Sequence, residues 1–165
     1  MLSYRHAFHA GNHADVLKHY VLSLILDYFN QKPTPYCVVD THAGAGLYAL
    51  NDEFAKKNAE YETGIARILS TPNLPQSLAQ FVQIIQSFND ENSLDFYPGS
   101  PKIIERFLRS TDKLRLFELH PSDYNLLINN FLPKNRQTIV ALQDGFTGLK
   151  ACLPPITKRG LVLID

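Results

Sequence analysis

The sequence predicts an α/β fold of Rossmann-like type, with a small helical insertion and the chain breaking off after its fourth core strand. Three observations predict it. A short β-branched run, Tyr36-Cys-Val-Val-Asp40, leads into a glycine turn, His42-Ala-Gly-Ala-Gly46. Strands then alternate with helices through the last third of the chain, the order of a parallel sheet covered on its faces. Each strand ends in a carboxylate or reaches one within a residue or two: Asp40, Glu118, Asp144 and Asp165.

Length and composition agree with a single domain. The 165 residues are 45% hydrophobic and 19% charged, a globular balance with room for one core. The longest apolar run, Val21 to Leu26, is too short to span a bilayer, and the N-terminus has no secretory pattern. A cytoplasmic protein with no membrane association is expected. The two cysteines, Cys37 and Cys152, read as buried free thiols in a reducing compartment. Formal net charge is zero, so the overall balance advertises no nucleic-acid partner; any basic face must come from local clustering.

Taken in order, Asn12 reads as an N-cap with Asp15 in the first turn, where a negative charge suits the helix dipole. Val16, Leu17, Tyr20, Val21, Leu24, Ile25 and Tyr28 recur at helical spacing and predict an amphipathic helix over 13–30. Gln31-Lys-Pro-Thr-Pro35 ends it, and the first strand and its glycine turn follow. Residues 51–95 are polar and helical in pattern, with Phe81, Val82, Ile85 and Phe88 on one face. They predict an inserted helical subdomain on a main domain made of 1–50 and 96–165. Tyr97-Pro-Gly-Ser100 reads as a turn, and Ser100-Pro101 as the start of a helix through Arg109. Strand 114–119, helix 121–131, strand 138–142, helix 146–153 and strand 161–165 complete the series.

In an open parallel sheet, ligands bind at the carboxyl ends of the strands, where the strand order reverses. Asp40, Gly44 and Gly46 form the first candidate group: the glycines let backbone approach a ligand closely. Gly44-x-Gly46-x-x-Ala49 also fits the looser dinucleotide fingerprint, and an ordinary structural turn explains such glycines as well. Asp40 favours the methyltransferase version, D-x-x-x-G-x-G, with the acid near the cationic end of S-adenosylmethionine. Glu118 is placed to accept both ribose hydroxyls of a nucleoside, with a solvated strand-end acid as the alternative; His120 beside it reads as a surface residue. Asp144-Gly145 could accept the amino proton of a bound adenine or be a plain turn. Asp165, if followed by Pro-Pro-aromatic, would hold the hydrogens of a target amine.

The stretch Tyr4 to His19 holds four of the six histidines. His9-x-x-x-His13 has metal-ligand spacing, but the Gly11-Asn12 break separates the pair, so no metal site is expected. Aromatics interleaved with Arg5 and Lys18 suit base stacking and phosphate contact.

These segments together carry a resemblance. The opening Met-Leu-Ser-Tyr-Arg-His-x-Phe-His-Ala-Gly-Asn-His-Ala-Asp-Val-Leu-Lys-His closely resembles the RlmJ family of bacterial 23S ribosomal RNA adenine-N6 methyltransferases. So do Asp40 to Gly46, Tyr97 to Pro101, Glu118 to Asp123 and Asp144-Gly145. Members have also been labelled as proteins for using external DNA as a nutrient. The resemblance implies a Rossmann-like S-adenosylmethionine methyltransferase domain with a small helical subdomain, acting on 23S rRNA; a monomer is expected. It implies cofactor contacts at His19, His42, Ser100, Glu118, Asp144 and Gly145, an RNA contact at Tyr4, and Asp165 as the catalytic acceptor. The family pattern continues from this aspartate into Pro-Pro-Tyr, so the 165-residue chain alone is expected to be inactive. The competing expectations are a DNA adenine methyltransferase, a nicotinamide-dependent oxidoreductase, and a non-catalytic protein that binds or takes up DNA.

Overall fold

A computed structural model describes residues 6–91, 93–131 and 136–165. Its centre is a parallel sheet of four strands in the order β5-β4-β1-β6: β1 (Cys37–Asp40), β4 (Lys113–Glu118), β5 (Thr138–Leu142) and β6 (Gly160–Leu163). The apolar run of β1 is buried at every position, as a central strand covered on both faces requires. Register brings the carboxyl ends level: Asp40 lies opposite Leu116 and Leu163, and Glu118 opposite Leu142. The chain moves outward from β1 to β4 and β5, then returns to place β6 on the other flank of β1. That reversal opens a crevice above the ends of the central strands.

One face of the sheet is covered by α1 (His13–Asn30), α5 (Ser100–Phe107) and α6 (Pro121–Asn130) around Val38, Leu114, Leu116 and Leu127. The other face carries α7 (Gly145–Cys152) over Cys37, Val39 and Phe117. A Cβ on Gly148 would lie 2.2 Å from the Phe117 ring, so glycine there lets α7 settle on the sheet.

The sequence stripe chosen for α1 overlaps its buried face only in part, at Val16. Leu17, Val21, Leu24 and Tyr28 are exposed, whereas Asp15, Val16, His19, Leu22, Ser23 and Leu26 are buried. The helix is apolar on more than one side, so periodicity alone does not select the inward face. The polar residues select it, because their partners lie inside: Asp15 accepts the Gly11 amide at 3.0 Å and His19 bonds the Tyr97 hydroxyl at 2.9 Å. The Asn12 cap is present, its side chain accepting the Asp15 amide at 2.9 Å.

The glycine turn after β1 does not open a helix, as a dinucleotide fingerprint would require. Leu47–Ala49 forms β2, paired antiparallel with β3 (Phe96–Pro98), so the Tyr97-Pro98 segment expected as a turn is a strand. Gly44 and Gly46 both sit at positive φ (60° and 79°) and fold the chain back. The Tyr48 hydroxyl then packs under Gly44, where a Cβ would lie 2.1 Å away. Between β2 and β3 come α2 (Glu53–Asn58), α3 (Ile65–Leu69) and α4 (Gln76–Gln86). Phe81, Val82 and Ile85 of α4 are buried, each contributing about 2 kcal/mol; Phe88 falls beyond the helix end. Among the described residues no helix is long and apolar enough to cross a membrane. Both cysteines are free; Cys37 is buried, while Cys152 is only half-buried.

Candidate functional site

A cleft of about 380 Å³ lies over the carboxyl ends of β1 and β4. His42, Gly44, Glu118, Asp144, Gly145 and Asp165 all line it. Six of the residues named from sequence are therefore brought together around one space.

Glu118 is held by two backbone donors, the Gly44 amide at 2.8 Å and the His120 amide at 2.6 Å, one on each oxygen. A carboxylate oxygen has a second lone pair, so each can still accept a ligand hydroxyl. Asp144 caps α7, accepting the Thr147 amide and hydroxyl at 2.8 Å; those bonds hold its carboxyl below the usual range. Gly145 allows α7 to begin against the turn, since a Cβ there would lie 2.1 Å from the Thr41 carbonyl oxygen.

Asp40 does not face the cleft, contrary to the expectation that strand-end acids share one opening. It is 0% exposed beneath the floor, because β1 is the covered central strand. Its Oδ2 accepts the Ser100 hydroxyl at 2.7 Å and its Oδ1 the His42 amide at 3.2 Å. Burial pushes its pKa up to about 6, against those two hydrogen bonds and with the Asp165 charge adding to the rise. Ser100 is thus engaged with Asp40 and, like it, does not line the cleft. Gly46 lies off the cleft as well, packed where a Cβ would meet Leu127 at 2.9 Å.

His19 is buried, and burial pulls its pKa down to about 4 despite the Asp15 charge, so its imidazole is neutral. It borders a second groove of about 370 Å³ between α1 and β6, which Lys18 and Asp165 also line. Asp165 is the residue common to both spaces. Lys18, expected to meet nucleic acid, directs its ammonium to Asp165 at 2.5 Å and Asp15 at 3.3 Å. Those carboxylates outweigh burial and raise its pKa. Asp15 in turn accepts from His6 Nε2 at 2.8 Å. Burial raises the Asp15 carboxyl, but the His6 bond and the charges of His19, His6 and Lys18 prevail and hold it at about 2. Tyr4 and Arg5 lie outside the described residues.

Sequence reasoning missed His6 and Asp15 as parts of this charge chain and took His120 for a surface residue. His120 lines the cleft, and its Nδ1 is buried without a hydrogen-bond partner among the described residues. The density of histidines before α1 was the available signal. His9, the other half of the metal-spaced pair, bonds Glu60 at 3.0 Å.

Glu118, Asp123, Asp144 and Asp165 line the cleft together with His6, His42 and His120, and among the described lining residues there is no lysine or arginine. The turn amide at Gly44 that would seat a phosphate is occupied by Glu118. Such a cleft favours a ligand bearing hydroxyls and positive charge over one bearing phosphates.

Comparison with known proteins adds relatives to this geometry. Residues 33–165 match the family model described as Ribosomal RNA large subunit methyltransferase D, RlmJ. The chain is 52% identical over 165 residues to "Ribosomal RNA large subunit methyltransferase J" of Escherichia coli (strain K12). It is 48% identical over 166 residues to the protein of the same name from Haemophilus influenzae. Both alignments take in 100% of this chain and 59% of the relative, so the chain spans about three-fifths of the length of these relatives. A solved structure, protein LPL1258 from Legionella pneumophila, superposes with a TM-score of 0.83 at 41% identity, covering 93% of this chain and 56% of that one.

Proposed function

The chain belongs to the family described as ribosomal RNA large subunit methyltransferase D, RlmJ, and on that premise we propose that the protein transfers the methyl group of S-adenosylmethionine to the N6 amino group of an adenine in 23S ribosomal RNA. The observation that carries this reading is the acid-lined cleft whose glycine-turn amide is already taken by Glu118. A dinucleotide would bring its pyrophosphate against carboxylates there. A phosphate-free nucleoside with a sulfonium and an ammonium would not.

In this reading Glu118 accepts the ribose hydroxyls, with its orientation fixed by the Gly44 and His120 amides. Asp144 and Gly145 meet the adenine edge of the cofactor, and His42 closes the wall beside them. Asp40 and Ser100 support the floor from below, Ser100 donating to Asp40 and Asp40 accepting the turn amide of His42. His19, neutral and bonded to Tyr97, borders the second groove. When bound, S-adenosylmethionine supplies an electrophilic methyl group. Asp165 accepts a hydrogen of the target amine, which aims the nitrogen lone pair and removes charge as it develops. The Lys18 ammonium orients Asp165, and the Asp15–His6 pair fixes Lys18. Tyr4 meets the RNA. Residues 51–95 form a helical subdomain inserted into the main domain of 1–50 and 96–165. The protein works as a monomer in the cytoplasm.

The test is thermal protection of the 165-residue chain by S-adenosylhomocysteine and by NAD. S-adenosylhomocysteine should raise the melting temperature and NAD should not, and Glu118→Gln should weaken the effect about tenfold in ligand concentration, the loss of roughly one charge-assisted hydrogen bond. Labelled-methyl assays on 23S RNA and adenine-containing DNA then separate the polymers. Protection by NAD instead would overturn the cofactor reading, and methyl transfer to the DNA alone the assignment to 23S RNA.

A further inference from the structure

The two cysteines lie at the end of the sheet opposite the cleft. Cys37 is the first residue of β1 and Cys152 the last of α7, more than a hundred positions later. Both pack on the cluster of Val39 and Phe117, and both line a pocket of about 230 Å³. Lys113 and Arg115 of β4 line the same pocket, and among the described residues no carboxylate does. Arg115 is anchored there, its Nη1 donating to the carbonyls of Leu114 and Gln137 at 2.9 and 3.1 Å. The segment from Pro154 to Thr157 forms the outer rim, with Ile156 fully exposed.

The two thiols differ in access. Cys37 is 7% exposed, and its sulfur faces the Val38 carbonyl at 3.8 Å. Burial pushes the Cys37 thiol up; Arg115 and Lys113 pull it down, while Cys152 adds to the rise. Cys152 is half-buried and therefore reachable from the pocket.

We propose that this pocket captures anionic low-molecular-weight disulfides, with Cys152 as the site of modification. Lys113 and Arg115 hold the carboxylates of the incoming molecule. Cys152 loses its proton to solvent, and its thiolate attacks one sulfur of the disulfide. That S–S bond breaks, a mixed disulfide forms on Cys152, and the other half leaves as a thiolate that takes up a proton. Cys37 is a wall of the pocket and does not react. This assignment is independent of the reading of the cleft.

The probes are oxidised glutathione, which is net negative, and cystamine, which is net positive. Each is incubated with the protein, and adducts are followed by intact mass and mapped by peptide digestion. Oxidised glutathione should modify Cys152 faster than cystamine, by an advantage that shrinks as salt rises. Cys152→Ser should abolish the adduct, and Cys37→Ser should leave it. Lys113→Gln and Arg115→Gln should each slow glutathionylation roughly fivefold, the factor a unit charge a few ångströms away contributes at high dielectric. Melting curves and S-adenosylhomocysteine protection of each variant check that it folds. An adduct on Cys37, equal or faster reaction with cystamine, or no adduct in the folded protein would overturn the proposal.

Discussion

Asp40 offers a quantitative test of how the floor of the cleft is built. Its carboxyl is fully buried, and its pKa stands at about 6 against an ordinary 3.8. Between those values the folded chain keeps a proton that the unfolded chain has lost. Raising the pH through this window therefore favours unfolding, and above about 6 the destabilisation is complete. The interval of roughly two pH units, at about 1.4 kcal/mol each, amounts to about 3 kcal/mol. Asp40→Asn removes the titration while keeping an acceptor for the His42 amide and a polar partner for Ser100. The stability of the variant minus that of the parent should then climb by about 3 kcal/mol from pH 4 to pH 7.5. Any constant offset from altered hydrogen bonds drops out of that slope, as do the titrations of Asp15 and His19, which both proteins share. Urea unfolding at half-unit pH steps measures it. A flat or falling difference would show that the carboxyl is ionised in the folded chain without cost, and the account of the floor would fail.

Two further outcomes follow from the same geometry. His19 takes its proton only near pH 4 when folded but near 6.5 when unfolded, so stability should fall by about 3 kcal/mol as pH drops through that window; His19→Gln, which keeps an acceptor for Tyr97, should remove that limb in melts from pH 4 to 7.5. Gly145→Ala would place a Cβ 2.1 Å from the Thr41 carbonyl oxygen, displacing the start of α7 and weakening S-adenosylhomocysteine binding by about a hundredfold in calorimetric titration, whereas unchanged affinity would mean that α7 does not shape the cleft.

The sequence alone determined the order of the parallel strands and the helices between them, though not the β2–β3 pair, and the identity of the residues at the strand ends. Those signals are local: a β-branched run before glycines, Ser100-Pro101 opening a helix, Asp144 and Asn12 as caps, and a carboxylate after each strand. They sufficed to gather Glu118, Asp144, Gly145 and Asp165 at one cleft, because strands in a parallel sheet share a direction. What tertiary structure alone decided was which of these groups meets solvent and which meets another. Lys18 and Asp165, 147 positions apart, pair only because β6 returns beside β1 and close to α1. The inward face of α1 was set by where Asp15 and His19 find partners, not by the spacing of its leucines. Asp40 went beneath the floor because the central strand is covered on both sides. Hydrogen-bond satisfaction and desolvation depend on neighbours distant in sequence, and no periodicity along one segment encodes them.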